Sequence, residues 1–233
     1  AVQRATRSDK PLALMFIDLD DFKTVNDTLG HDVGDRVLRE VALQLRASLR
    51  GSDQLIRLGG DEFLVIIENI DDVADLGALG RKLIDAVEHE FRPHDDALGN
   101  ISASIGISVF PDDGESAEDL LKHADIAMYQ AKARGRGQAC RYLPEFSSKL
   151  AERVSSEQAL RQAVENDDLL VYFQPKVRLD TGLLSGAEAL VRWSDPERGL
   201  LMPESFISMA EDIGLIVPIG EYVIRRVLSQ MAS

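Results

Sequence analysis

Arg57-Leu58-Gly59-Gly60-Asp61-Glu62-Phe63 sets a Gly-Gly pair and two adjacent carboxylates between two apolar runs, Gln54 to Leu58 and Phe63 to Ile67. Two β-prone runs joined by Gly-Gly predict a β-hairpin, because glycine takes the turn conformations that a side chain resists. The flanks are apolar enough to be buried, which leaves Asp61 and Glu62 at the tip of a fixed support. Hard cations such as Mg²⁺ favour carboxylate oxygens held in this way, usually together with substrate phosphates. A plain turn with solvated acids has the same local sequence, and the hairpin alone does not separate the two.

A second acidic group lies upstream. Leu12-Ala13-Leu14-Met15-Phe16-Ile17 is a continuous apolar run, expected for a strand buried on both faces, and it runs into Asp18-Leu19-Asp20-Asp21-Phe22-Lys23. Asp18 and Asp20 share a face by the period of two. A central strand beside the hairpin would bring one of them to Asp61 and complete a divalent-metal site for phosphoryl or nucleotidyl chemistry. Spacing alone does not choose between Asp18 and Asp20, and polar strand ends are common in any sheet.

Periodicity and breakers predict strand 12–18, a short helical segment near 21–29, helix 32–50, strands 54–58 and 62–68, helix 72–90, strand 100–110, helix 117–134 and strand 138–142. This alternation implies an α+β fold, an α/β sandwich with helices packed on a sheet. Ile101 to Val109 alternates apolar and small residues, which predicts one buried face. Ser116-Ala117-Glu118-Asp119 is a capping pattern that opens a helix with an apolar stripe through Leu120, Ala124, Ala127, Met128 and Ala131. Lys132 and Arg136 follow at its end, where cations suit the helix dipole. Asn26 reads equally as a turn residue, and Asp35 as an acid of a first helical turn.

Taken together, Phe16 to Lys23, Asn26-Asp27, Gly30-His31-Asp32, Gly34-Asp35 and Arg57 to Phe63 resemble the GGDEF domain of diguanylate cyclases, from about Pro11 to Arg141. The resemblance implies a βαββαβ arrangement similar to the ferredoxin-like and polymerase-palm folds. It also implies synthesis of cyclic di-GMP from two GTP molecules by a homodimer, with Mg²⁺ or Mn²⁺. By resemblance, Asp18, the Leu19 carbonyl and Asp61 ligate the metal. Glu62 is a further metal ligand or helps to deprotonate the 3′-hydroxyl. Asn26 and Asp35 read guanine, a role that amide and carboxylate can fill against its carbonyl and N–H groups. Leu38 packs against the base, Phe22 belongs to the substrate-binding motif, and Gly59 and Gly60 let the backbone approach the nucleotide. Lys132 and Arg136 hold the β- and γ-phosphates. Gly137 departs from the pattern, which usually has Asn there. Arg50-Gly51-Ser52-Asp53 has the spacing of the family's product-inhibition site, where a guanidinium fork and a carboxylate suit guanine and phosphate, and Arg81 is a further candidate contributor.

After Tyr142 the pattern changes. Residues 144–166 are charged and helical in period, with an apolar stripe of Leu150, Val154, Ala159, Leu160, Ala163 and Val164, as expected of a linker helix. Leu169 to Lys176 and Leu184 to Trp193 then resemble the opening strands of an EAL domain, the cyclic di-GMP phosphodiesterase family. The resemblance implies a metal ligand at Glu188, substrate contacts at Gln174 and Arg192, and a barrel of the TIM type. The expected domains are 1–143 for GGDEF, 144–166 for the linker and 167–233 for the beginning of EAL. Such a barrel takes about 250 residues to close, so the chain reads as a fragment of a GGDEF–EAL protein, without hydrolytic activity of its own. The expected function is a diguanylate cyclase, favoured by intact Asp18, Asp61, Glu62, Lys132 and Arg136. The alternative is a non-catalytic GTP-binding or cyclic di-GMP-sensing domain that controls the phosphodiesterase, and the net cyclase or phosphodiesterase direction of a full-length protein is open.

Composition narrows the class. A net charge of −14 over 233 residues argues against a nucleic-acid partner, since phosphate backbones need basic patches. The single cysteine, Cys140, rules out an internal disulfide and fits a reducing cytoplasm. His31, His89, His94 and His123 show no metal-ligand spacing, and no run is long or apolar enough to span a membrane or act as a signal peptide.

Overall fold

The computed structural model of the protein describes residues 1–8, 10–70, 72–91 and 101–231. The chain divides into two compact units, Ala1–Ser148 and Lys149–Ser233. The first runs through α1 (Val2–Ser8), β1 (Leu12–Asp20), α2 (Phe22–Leu29), α3 (His31–Ser48), β2 (Gln54–Gly59), β3 (Glu62–Glu68), α4 (Asp75–Phe91), β4 (Ser102–Phe110), α5 (Ala117–Ala133) and β5 (Ala139–Arg141). Its five strands lie in the order β2-β3-β1-β4-β5. β1 pairs antiparallel with both β3 and β4, and β5 joins β4 in parallel. The unit is α+β, as the alternation of elements predicts.

Both faces of β1 are covered, which explains its uninterrupted apolar run. Ala13, Met15, Ile17 and Leu19 face a core built with α2, α3 and α4, where Val37, Val41, Leu45 and Leu83 are fully enclosed or nearly so. Leu12, Leu14 and Phe16 face a second core with Ala5 of α1 and with Leu120, Ala124 and Met128 of α5. Full burial of each large side chain contributes about 1.5–3 kcal/mol. By the period of two, Asp18 and Asp20 continue the face turned towards α5.

β4 corrects the expectation of one buried face, since Ala103 to Val109 are all buried. Its small residues, Ser104, Gly106 and Ser108, pair with Asp18, Phe16 and Leu14 and lie under α5. A Cβ at Gly106 would stand 1.8 Å from the Ala124 carbonyl oxygen and 2.2 Å from the Met128 nitrogen. The Ser108 hydroxyl donates to the Leu120 carbonyl at 2.7 Å. Small residues here mark close approach of a helix backbone, not exposure to water. The N-cap of α5 forms as its sequence predicts, with the Asp119 N–H donating to Ser116 Oγ at 3.0 Å.

Helix α6 (Pro144–Glu165) spans the division between the units. The second unit continues with β6 (Leu169–Val177), β7 (Leu184–Asp195), β8 (Gly199–Leu201), a 3₁₀ turn at Pro203–Ser205, α7 (Ile207–Asp212) and α8 (Ile216–Met231). Its strands form an antiparallel sheet, β6-β7-β8. Leu160 and Ala163 of α6 pack with Trp193, Phe206 and Ile219, and the Tyr222 hydroxyl donates to the Leu169 carbonyl. The expected stripe on α6 is interrupted at Val154, which is 55% exposed. The part of α6 that enters this core begins near Ala159.

Gly106 carries a direct test of how closely α5 approaches the sheet. Gly106→Ala should lower stability by at least about 1–3 kcal/mol, because the new methyl meets helix backbone that cannot swing aside. Urea unfolding followed by circular dichroism measures it, and an unchanged midpoint would contradict the packing.

Candidate functional site

At the end of β1 the Asp18 carboxylate is buried and meets the Lys132 ammonium of α5, with Oδ1 and Nζ 2.6 Å apart. Burial raises the Asp18 pKa above the ordinary aspartate value, and the nearby charges of Asp61 and Asp20 add to this. The hydrogen bond and positive charge of Lys132 oppose it. Lys132 thus offsets only part of the cost of burying this carboxylate. Glu62 lies directly opposite Asp18 in the β1–β3 register, and the Leu19 N–H donates to the Asp61 carbonyl at 3.3 Å. The strand end and the hairpin tip are thus joined through backbone as well as through side-chain register.

The tip itself departs from a simple ladder. The β2–β3 register shifts between Arg57 and Gly59, and Gly60 takes φ 53°, a left-handed value that glycine adopts without strain. Arg57 Nε and Nη2 both donate to the Gly60 carbonyl, at 3.0 and 2.8 Å. This two-pronged bond holds the turn that carries Asp61 and Glu62. Sequence reasoning did not single out Arg57, since an arginine in a strand gives no sign of where its head group turns.

Asp20 has different partners from Asp18. The Ser104 hydroxyl donates to Oδ1 at 2.8 Å and the Gly137 N–H to Oδ2 at 3.1 Å. The two aspartates share a face, but only Asp18 stands beside Lys132 and Glu62. Among the described residues no three His, Cys, Asp or Glu side chains could hold a metal ion by themselves. His94 lies outside the described residues. The donors at hand are the Asp18 carboxylate, the acids of the hairpin tip and backbone carbonyls. These hard oxygens fit a divalent ion that completes its shell with water and phosphate oxygens.

Gly34 links the two guanine-reading candidates. A Cβ there would lie 2.0 Å from Asn26 Oδ1 and 3.2 Å from Phe22 Cζ, so both side chains of α2 rest on the bare backbone of α3. Asp35, the next residue, is exposed. Phe22 and Leu38 are 6% and 5% exposed and belong to the core beneath this helix pair, so at most a small edge of either reaches a ligand. The signal for the Gly34 contact was a glycine inside a helical pattern. Arg136, in the loop after α5, is exposed and left-handed at φ 61°.

Asp53 turns inward. Its side chain accepts from the Arg50 N–H at 2.9 Å and from Ser52 Oγ at 3.3 Å, which closes the turn between α3 and β2. Arg50 and Asp53 border a cavity of about 210 Å³ with Asp72, Asp75, Leu79 and Lys82. Arg81 is not among the residues that border it. Lys82 is, and its ammonium donates to the Ser48 carbonyl at 2.8 Å. The volume is below the roughly 300–1,000 Å³ usual for small-molecule sites, so a dinucleotide would have to spread onto the surface around Arg50.

In the second unit, register pairs Gln174 with Glu188 and Leu170 with Arg192, which puts Gln174, Glu188 and Arg192 on one face of the β6–β7 sheet. Glu188 pairs with Lys176 at 3.1 Å, both largely exposed. The Arg192 guanidinium lies 5.8 Å from the Tyr172 ring centre.

Residues 1–138 match the family described as diguanylate cyclase, GGDEF domain, and residues 157–233 match the EAL domain. The bifunctional diguanylate cyclase/cyclic di-GMP phosphodiesterase MucR of Pseudomonas aeruginosa is 42% identical over 231 residues, which is 99% of this chain and 33% of that protein. The cyclic di-GMP phosphodiesterase PdeR of Escherichia coli is also 42% identical, over 95% of this chain and 33% of its own length. The chain thus spans about a third of the length of these relatives. The crystal structure of the YfiN (TpbB) GGDEF domain from Pseudomonas aeruginosa superposes with a TM-score of 0.58 at 37% identity, covering 61% of this chain and 88% of that one. The DgcB GGDEF domain from Caulobacter crescentus, solved in complex with c-di-GMP, gives 0.54 at 26% identity over 60% of this chain and 82% of that one. The chain belongs to the GGDEF diguanylate cyclase domain family and continues into the start of an EAL domain, an arrangement it shares with bifunctional cyclic di-GMP signalling proteins.

Proposed function

We propose that the GGDEF part of the chain binds GTP with a divalent cation and, as a homodimer, condenses two GTP molecules into cyclic di-GMP. The observation that carries this reading is the Asp18–Lys132 pair of 2.6 Å opposite Glu62. A buried carboxylate and an ammonium meet opposite an acid of the hairpin tip, which supports cation and phosphate binding side by side. Asp18, Asp61 and Glu62 with the Leu19 carbonyl would hold the ion, Mg²⁺ or Mn²⁺, which when bound neutralises triphosphate charge. Lys132 and Arg136 take the β- and γ-phosphates, while Asn26 and Asp35 read the guanine edge. Each 3′-hydroxyl attacks the α-phosphate of the GTP on the partner. A P–O bond to pyrophosphate breaks as the new ester forms, and the hydroxyl proton leaves to a base, for which Glu62 is the candidate. Positioning and charge stabilisation supply most of the rate in such transfers. Arg50 and Asp53 are proposed as the product site, with Lys82 a closer neighbour than Arg81. The proposed domains are GGDEF over 1–143, a connector over 144–166 and the start of EAL over 167–233.

The name of PdeR favours a second reading, in which the GGDEF part binds GTP or cyclic di-GMP without turnover and regulates the phosphodiesterase. Incubation with GTP and Mg²⁺, following pyrophosphate and cyclic di-GMP, separates the two. Stoichiometric GTP binding without pyrophosphate would establish the second.

Asp61→Ala should reduce cyclic di-GMP synthesis by about 10²-fold or more with the circular dichroism spectrum unchanged, and retained turnover would remove Asp61 from the site. GTP should bind more tightly than ATP, because adenine lacks the N1–H and presents a donor where guanine has a carbonyl. Equal affinities by calorimetry would remove Asn26 and Asp35 from base reading. Arg50→Ala should weaken product inhibition by roughly 5- to 150-fold at an unchanged initial rate, and an unchanged inhibition curve would leave the turn at 50–53 as structure only.

A further inference from the structure

The loop that follows α5 is tied down amide by amide. The N–H groups of Arg134, Gly135 and Arg136 donate to the carbonyls of Gln130, Lys132 and Ala131, at 3.1, 3.2 and 3.2 Å. The next N–H, that of Gly137, donates instead to a side chain on another element, Asp20 at the end of β1, at 3.1 Å. The other oxygen of Asp20 accepts from Ser104 Oγ on β4 at 2.8 Å. Asp20 is 5% exposed, so its charge is removed from water and answered by these two donors. Charge-assisted hydrogen bonds of this kind are about twice as strong as neutral ones.

The loop needs such a restraint. Gly135, Arg136 and Gly137 have φ values of 112°, 61° and 58°. A residue with a Cβ is unfavourable in the left-handed region, so Arg136 does not hold this shape unaided. Gly137 also fits closely, since a Cβ there would lie 3.2 Å from Ser102 Oγ. Arg136 stands between an amide fixed to α5 and an amide fixed to Asp20. Its long side chain is exposed, so the backbone alone decides where its guanidinium starts.

We infer that Asp20 is a positioning residue for the triphosphate: it fixes the backbone at Gly137 so that Arg136 is presented beside Lys132 and Asp18, and it acts on the nucleotide only through Arg136. The inference rests on the proposed role of Lys132 and Arg136 in phosphate binding. It gives the two aspartates of β1 separate tasks, with Asp18 turned to cations and Asp20 to the loop.

The test is a binding cycle with a non-hydrolysable GTP analogue and, in parallel, GMP, on wild type, Asp20→Ala, Arg136→Ala and the double variant. Asp20→Ala should weaken the triphosphate about tenfold, the scale of one lost charge-assisted hydrogen bond, and leave GMP affinity unchanged. In the Arg136→Ala background it should add nothing, since a residue that works through Arg136 has no effect once Arg136 is gone. Equal losses for GMP and the triphosphate, or losses that multiply in the double variant, would overturn the inference. If Asp20→Ala does not fold, Asp20→Asn serves the same cycle: its amide oxygen keeps one of the two donors, and the same two outcomes decide. A triphosphate affinity that Arg136→Ala leaves untouched would remove the phosphate-binding role and the inference with it. An effect of Arg136→Ala without one of Asp20→Ala or Asp20→Asn would remove the inference alone.

Discussion

A carboxylate buried at the end of a central strand governs the first unit. β1 is covered on both faces, so its last residues leave the core with little water around them, and Asp18 is ionised there only at an energetic cost. The Lys132 ammonium at 2.6 Å compensates for it. Removing Lys132 would leave the buried Asp18 charge uncompensated, whereas Lys132 itself is partly exposed to water. Under the proposed function the pair would be exchanged: a metal ion would replace Lys132 at Asp18, and a phosphate would replace Asp18 at Lys132. Binding of the two ligands together would then keep every charge paired.

Close backbone approach makes that meeting possible. α5 reaches Asp18 because Gly106 lets the helix lie directly on β4. Gly34 does the same for α2 on α3 and seats Asn26 against the backbone that leads into Asp35. Arg57 holds the hairpin tip by two hydrogen bonds to the Gly60 carbonyl. Three separate devices are therefore at work, each placed where a side chain or an ordinary turn would have kept the elements apart.

Much of this frame was legible before the structure. The unbroken run of β1, the Gly-Gly hairpin and the Ser116 cap each have a local physical cause, and their elements fall within a few residues of the expected bounds. α1 was not anticipated, because Val-Gln-Arg-Ala-Thr-Arg-Ser is too short and too polar to show a helical period. β4 was read as half exposed, because a small residue marks water or a close neighbour equally well from sequence alone. The division of labour between Asp18 and Asp20 depends on Lys132, Ser104 and Gly137, which approach from distant parts of the chain and leave no periodic trace. Lys82 borders the Asp53 cavity while Arg81, one residue earlier on the same helix, starts about 100° further round it. Among the described residues no helix is long and apolar enough to cross a membrane.

The exchange at Asp18 is open to direct observation by electron paramagnetic resonance of Mn²⁺, titrated into the protein with a non-hydrolysable GTP analogue. Free Mn²⁺ should disappear from the spectrum only when protein and nucleotide are both present, beyond what nucleotide alone removes. Asp18→Ala should abolish that extra binding, while Asp20→Asn should retain it in part. Extra Mn²⁺ binding that survives in Asp18→Ala would contradict the account, since the buried carboxylate at the end of β1 would then not be the group that holds the cation.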